Sequence, residues 1–529
     1  MGEVFEFSCG CKIPIINGKL ELDRDNLNEH CPRTWELYRK GQTQSVFQLE
    51  SFFAKNWTKE LQPTCIKDAA ALSAILRPGV LQSKDENNES MTRVFCKRKN
   101  NIVQYEKCGA FNESLSDTYS ILIYQESLID ISKKLAGFSP KQSMKLVKGV
   151  GKKNAELLYS LEKEFVEGCI EVGIIGEEEA RSIFSNIKAS ARYLFSLNHS
   201  WAYAEFGYET AWVKAHFPEQ YICAWLRIAK NEAKSLEEIR AMISEARRLK
   251  ILVKGPSARN FPKTDFFIEK GIVYFGVNSI KNCSDKSFNK LLEVEADWKN
   301  MNWVEFLVNY SHLLTKRQIV SMIKVGCFDS FSMKSRIALE YEYNEWALLT
   351  IVQKDKCRKV FDKNKHSDFA QFMSDAFKAN PRVDKIKMAL FAAQNPSFDL
   401  RESNTNIIEN EKELLGINIS CSKIDQVVNI EHSNKIKEVL EDNYDKNKVY
   451  YIVGEISDYR DFKIKTGKMV GQIMGSFKIS DDSGETDVVC FPDSLDKFQS
   501  GLFDGNVIYL HAKKSNRGSG VVLEDLYEA

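Results

Sequence analysis

The strongest constraint on the fold is a change of hydrophobic period along the chain. From about residue 41 to 230, apolar residues recur at three- and four-residue spacing, as in TAWVKAHFPEQYICAWLRIA, which lines one face of an α-helix. From about residue 446 the period becomes two. VYYIVGEISDYRD, GSFKIS, TDVVCF and NVIYLHAKK read as short strands with turn residues between them. Five or so strands in some eighty residues suggest a small barrel, of the OB type. At 529 residues the chain is long enough for about three or four domains, each able to bury a core.

Residues 1–40 read as a short β-hairpin and a helix that form a docking element: FEFSCGCKIPI and GKLELD alternate as strands around Asn17-Gly18, a two-residue turn signal. Residues 41–255 are mainly helical and close with the amphipathic SLEEIRAMISEARRLKI. Residues 256–400 are α+β, with a strand pair in TDFFIEKGIVYFGV and helices around 285–293 and 315–326. The polar, basic segment 352–367 reads as a loop or helix end. Residues 401–445 are a linker with helices, RESNTNIIEN being the linker proper, and 446–529 form the barrel.

The bulk composition excludes several classes. No apolar run reaches the ~20 residues of a membrane span, and MGEVFEFSCGCKIPI lacks the basic and greasy regions of a secretion signal. Thirteen scattered cysteines fit reduced thiols in a cytoplasm. Net charge is only +1, so nucleic-acid binding requires local basic surface. Ser132 to Asn154 supplies it, with seven lysines and no acid around Gly149-Val150-Gly151. A glycine turn feeding a helix N-terminus offers amides and a favourable dipole to phosphate.

Two further groups bear on metals. Cys9 and Cys11 form a C-x-C, with His30 and Cys31 nearby, a set suited to structural Zn2+. Asp23 and Asp25 form a D-x-D, the spacing of a two-metal carboxylate pair on a strand. Their surroundings, LDRDNLNEHCPRTWEL, read instead as a strand end entering a helix capped by Asp25 or Asn26. Asp481-Asp482 read as turn residues.

The order of several stretches resembles one family. GQTQSVFQLES (41–51) is similar to the opening of the fingers of the DNA polymerase III alpha subunit, a C-family replicative polymerase. ALSAILRPGVLQS, ILIYQESLIDISKKLAGFS, the lysine run ending GVGKK, and NHSWAYAEFGYETAWVKAHFP follow in that family's order. Further on, SEARRLKI, VYFGVNSIK and LTKRQIVSMIKVGCFDSF resemble its helix-hairpin-helix region. EKELLGI and KTGKMVGQIMGSFKISDDSGETDVVCFPD resemble the approach to the OB domain and the domain itself. The resemblance covers about 41–529 and lacks the family's PHP and palm domains, so the palm carboxylates are not here.

The resemblance implies a fingers subunit of a split DNA-directed DNA polymerase, more like a bacteriophage enzyme working in a bacterial cytoplasm than a cellular one. A second, palm-bearing chain would supply the carboxylates and hold Mg2+. The partners implied are primer-template DNA and a dNTP. Arg77, Lys145, Lys148, Lys152, Lys153, His199 and Tyr203 are then the candidates for nucleotide and phosphate contacts. Tyr459, Phe462, Lys463, Lys465 and Lys468 on one barrel hairpin would meet single-stranded DNA by stacking and charge. Gln394 and Phe398, in QNPSF, match a sliding-clamp peptide whose apolar anchor is replaced by Ser397. Other departures are Val147-Lys148 in place of two arginines, Leu197 in place of a lysine, and Ile280-Lys281-Asn282-Cys283-Ser284 without the hairpin's glycines. A non-enzymatic DNA- and clamp-binding accessory is the alternative reading.

Overall fold

Two reversals shape the N-terminus of the computed structural model. Gly10 (φ 83°) turns strand β1 (Val4–Glu6) back on β2 (Lys12–Ile16), with Glu6 opposite Lys12. Asn17 (φ 53°) and Gly18 (φ 73°), both left-handed as a two-residue primed turn requires, lead into β3 (Lys19–Leu20). FEFSCGCKIPI is therefore a hairpin in itself, and the expected two-stranded element is a three-stranded sheet. The structure describes residues 3–528 apart from 106–108, 153–154, 191–192, 233–234, 284–289, 292, 396–399, 401, 422–432, 443, 446, 465–468, 482 and 516–519.

The chain divides into two units, Met1–Phe217 and Pro218–Ala529. In the first, one core joins the N-terminal sheet to the helices Pro32–Arg39, Ile66–Ile75 and Leu197–His216 through Trp35, Tyr38, Leu72 and Trp212. A second core gathers the helices Gln125–Ala136, Pro140–Val150, Ala155–Val172 and Glu177–Ser190 around Leu128, Leu146, Phe165 and Phe184. Gly149 lies inside the last turn of one of these helices rather than in a turn ahead of the next. A Cβ there would stand 2.5 Å from Leu161 Cδ1, so this glycine serves close helix packing.

Gly168 marks a tighter crossing. A Cβ on it would fall 2.3 Å from the carbonyl oxygen of Ala136, a backbone atom that cannot swing aside. Gly168→Ala is expected to destabilise the chain by about 1–3 kcal/mol. The check is a lower urea midpoint at unchanged slope.

In the second unit, the helices Pro218–Ala229 and Ser235–Arg248, which the sequence groups with 41–255, contribute Ile222, Leu226, Met242 and Ile243 to the core that follows. The expected strand pair is β5 (Phe267–Glu269) and β6 (Ile272–Tyr274), antiparallel, with β4 (Val253–Lys254) parallel to β6. Of the two expected helices, one is Lys316–Lys324, and most of 285–293 lies outside the described residues.

The segment expected as a loop or helix end, and the one expected as a linker, are both largely helical. Ile351–Asn364 is an α-helix started by a Thr350/Gln353 capping box and ended by Lys365 in the left-handed region. Its polar sequence hides the period because Cys357 and Phe361, four apart, are its two fully buried anchors. The stretch expected as a linker opens the helix Asn404–Leu415, capped by Ser403 and buried through Ile408, Leu414 and Leu415.

The C-terminal barrel is closed and five-stranded. Its strands are β7 (Val449–Lys463), β8 (Ile473–Ser480), β9 (Glu485–Cys490), β10 (Val507–Lys514) and β11 (Val521–Glu528), ordered β10-β11-β9-β8-β7. β11 runs parallel to β9, Val521 opposite Val488, and the other pairs are antiparallel. Asp481 is more than a surface turn residue. Its buried carboxylate accepts from the amides of Ser483 (2.7 Å) and Gly484 (2.9 Å), and from Ile436 (3.0 Å) at the start of the helix Ile436–Glu441.

Candidate nucleotide cleft and cysteine–histidine cluster

A cleft of about 720 Å³ opens in the first unit, walled by the N-terminal half of the helix Leu197–His216, the loop at 47–49 and the segment 76–79. The sequence places aromatic and cationic side chains along it in contact. The Arg77 guanidinium sits 3.5 Å from the centroid of the Phe195 ring. Phe195 meets His199 edge-on at 5.3 Å, and His199 lies 4.1 Å from Tyr203, its i+4 neighbour. Tyr203 meets Phe47 at 5.1 Å. Among the described residues Arg77 is the one charged side chain of the lining, and none of the lining residues is a carboxylate. Such a wall offers π faces and one strong anion donor to a planar, negatively charged ligand. Among the described residues the lining holds nothing that could chelate a pair of divalent ions.

Local chemistry holds this wall in place. Glu126, from another helix, accepts from the Leu197 amide (2.7 Å) and the Ser196 hydroxyl (2.9 Å), occupying the N-terminus of the long helix. Near the helix's other end, buried Lys214 donates to the carbonyls of Gln42 and Gln44, both at 2.8 Å. Those contacts, with Thr43 Oγ1 donating to the Leu49 carbonyl at 2.7 Å, hold a loop in which Ser45 (φ 58°) and Gln48 (φ 63°) are left-handed. Sequence reading missed Lys214, because a lysine in an apolar helix has no linear mark that it is buried.

Of the predicted nucleotide residues, Arg77, His199 and Tyr203 come together here. The lysines do not join them in the lining. Lys145 is paired with Glu164 at 2.6 Å, and Lys148 and Lys152 are exposed at the C-terminal end of the helix Pro140–Val150, where the dipole favours cations. Lys152 thus follows the end of one helix and lies ahead of the start of the next, Ala155–Val172, as the sequence places it. Lys153 lies outside the described residues, as do Phe398, Lys465 and Lys468. Gln394 is the last residue of the helix Asp384–Gln394. On β7, Phe462 and Lys463 are exposed, but Tyr459 packs against the barrel core. A second aromatic group went unnoticed in the sequence: Tyr451, Tyr509, His511 and Tyr527 gather across β7, β10 and β11, with His511 4.5 Å from Tyr451 and 5.0 Å from Tyr527. The period-two spacing of Tyr509 and His511 was its signal.

Asp23 and Asp25 are exposed on either side of Arg24 in a 3-10 turn (Arg24–Asn26) rather than on a strand. Neither Asp25 nor Asn26 caps the next helix. Its cap position is Cys31, and Asn26 donates to the Glu21 carbonyl at 3.3 Å.

The ligand atoms of Cys9, Cys11, Cys31 and His216 lie within 4.8 Å of one another, and this group could hold a metal such as zinc. His30, expected as the fourth member, is exposed, and its place is taken by His216 from the end of the long helix. The ring of His216 stacks on Trp212 at 3.8 Å. Burial holds this imidazole below its ordinary pKa, which favours the neutral form.

Residues 13–173 match the profile described as the bacterial DNA polymerase III alpha subunit finger domain, beginning ahead of residue 41, where the resemblance was placed. The chain is 27% identical over 497 residues to the DNA polymerase III subunit alpha of Aquifex aeolicus, covering 92% of this chain and 37% of that protein. It is 27% identical over 515 residues to that of Pasteurella multocida, covering 94% and 41%. With the Thermus aquaticus protein identity is 30% over 328 residues, 61% of this chain and 26% of the relative. The chain spans about two fifths of the length of the first two relatives. The chain is thus similar to DNA polymerase III alpha subunits over nine tenths of its length, and within it residues 13–173 are similar to their finger domain.

Proposed function

We propose that this chain is the fingers-to-barrel component of a split DNA-directed DNA polymerase, and that a palm-bearing chain completes it. The observation that carries the reading is the cleft. Arg77, His199 and Tyr203 bring one cation and stacking surfaces to a wall that, among the described residues, has no carboxylate, the complement of a palm that would hold Mg2+. Nucleotidyl transfer needs both halves, so the chain alone would bind nucleotide and DNA without reaction. Primer-template DNA would run over the exposed lysines Lys148 and Lys152, with Lys153 continuing the run. The barrel would hold single-stranded template at Phe462, Lys463 and the Tyr451–Tyr509–His511–Tyr527 group, and the segment from Gln394 to Phe398 would meet a sliding clamp. A bacteriophage origin and a bacterial cytoplasm are the setting in which a polymerase divided this way would work.

Primer extension by this chain mixed with its palm-bearing partner tests the reading. Arg77→Ala is expected to lower kcat/KM for the nucleotide by about 10- to 100-fold, the loss of one charge-assisted contact. Changing Lys148 and Lys152 to Ala is expected to weaken DNA binding for all sequences alike and to flatten its salt dependence. Absence of extension with both chains present, while single-stranded DNA still binds, would leave the accessory reading.

A further inference from the structure

We infer that Cys9, Cys11, Cys31 and His216 form a closed Zn2+ site that staples the N-terminal sheet to the end of the helix carrying His199 and Tyr203. The donor spacing fits the ion. A tetrahedral zinc with its usual bond lengths sets sulfur–sulfur separations at about 3.8 Å and sulfur–nitrogen separations at about 3.6 Å. Here Cys31 Sγ is 3.8 Å from Cys9 Sγ and 3.6 Å from His216 Nε2. Cys9 Sγ is 3.2 Å from the same nitrogen, a few tenths of an ångström inside the ideal.

The surroundings orient each donor as a metal site requires. His216 Nδ1 lies 2.8 Å from the Trp212 carbonyl, which can only accept, so Nδ1 carries the proton and the Nε2 lone pair faces the thiols. Between β1 and β2, Gly10 in its left-handed conformation makes a tight loop in which the Gly10 amide donates to Phe7 and the Phe7 amide to Cys11. That loop sends Cys9 and Cys11 to one side. Cys31 opens the helix Pro32–Arg39, and Tyr208, from the long helix, accepts from its amide at 3.3 Å and donates to the Asn28 carbonyl at 2.6 Å. Cys11, Cys31 and His216 are buried and Phe7 covers the imidazole edge-on at 4.8 Å, so no position is left open for water or substrate.

Three thiolates and one neutral imidazole would leave a bound Zn2+ complex with net charge −1 and complete its tetrahedron, the donor set of structural zinc. The ion would cross-link segments about 200 residues apart in sequence, and its binding free energy would become folding free energy for a sheet of ten paired residues or fewer. This site stands apart from the polymerase reading and uses none of the cleft residues.

The test takes the full chain, purified in reducing buffer without chelator. About one zinc per chain is expected by elemental analysis, and replacement by Co2+ should give a tetrahedral spectrum with thiolate-to-cobalt absorption. Changing Cys9 and Cys31 together to Ser, or His216 to Ala, should drop zinc content to under about a tenth. His30→Ala should leave it unchanged. Chelation should release the sheet, seen as new proteolytic cleavage ahead of Pro32. The wild-type measurement decides even if the variants fail to fold. A folded wild-type chain that takes up neither zinc nor cobalt overturns the site, and so does zinc lost in His30→Ala but kept in His216→Ala.

Discussion

Arg336→Ala is expected to destabilise the second unit by about 3–5 kcal/mol, the cost of stranding buried charge. The buried guanidinium donates to Asp329 at 2.9 Å, to Glu411 at 3.1 Å, to Ser420 Oγ at 3.0 Å and to the Lys324 carbonyl at 3.2 Å. Glu411 in turn accepts from the amides of Ile419 (2.7 Å) and Ser420 (3.0 Å), so one arginine ties four segments. Alanine would leave Glu411, 1% exposed, without its counter-charge. Changing Arg336 and Glu411 together to Leu should therefore cost less than Arg336→Ala alone. The deficit should also depend on pH. The Asp329 side chain is about half exposed, yet desolvation on its inner side holds the carboxyl above its ordinary pKa, against the pull of Arg336. Without that pull the folded value rises further, so the added penalty is full at neutral pH and shrinks as pH falls through the raised folded value. Urea unfolding at neutral and mildly acidic pH reads both effects, and an equal loss at the two would remove the charge explanation.

Lys214→Met is expected to cost about 2–3 kcal/mol, because the methionine keeps the apolar stem and loses the charged donors. The carbonyls of Gln42 and Gln44 would lose their shared partner, and the left-handed residues Ser45 and Gln48 would lose much of what holds them. Phe47, which sits in that loop against Tyr203, would loosen with it. Faster amide exchange over 42–49 together with a lower unfolding midpoint would bear this out. Unchanged exchange there would place the role of Lys214 elsewhere.

Much of the local architecture was legible from residue order. The Asn17-Gly18 turn, the amphipathic helix Ser235–Arg248, the strand pair at 267–274 and the barrel after 446 all follow from signals that lie within a few residues of one another. The helices Ile351–Asn364 and Asn404–Leu415 escaped because each presents a narrow buried stripe on a polar body, so their period is weak.

The change of hydrophobic period, read in sequence alone, determined that a helical body precedes a small barrel. The family resemblance, and not the period, drew Arg77, His199 and Tyr203 into one group. Only the tertiary structure decided which atoms meet. His216 reaches Cys9 across 207 residues, while His30, beside Cys31 in the chain, points to solvent. Gly149, which looked like a phosphate turn, is a notch for Leu161, and the lysines around it crown a helix C-terminus. The reason is physical: periodicity and caps are set by neighbours along the chain, whereas ligand sets, ion-pair networks and close crossings depend on packing between distant segments.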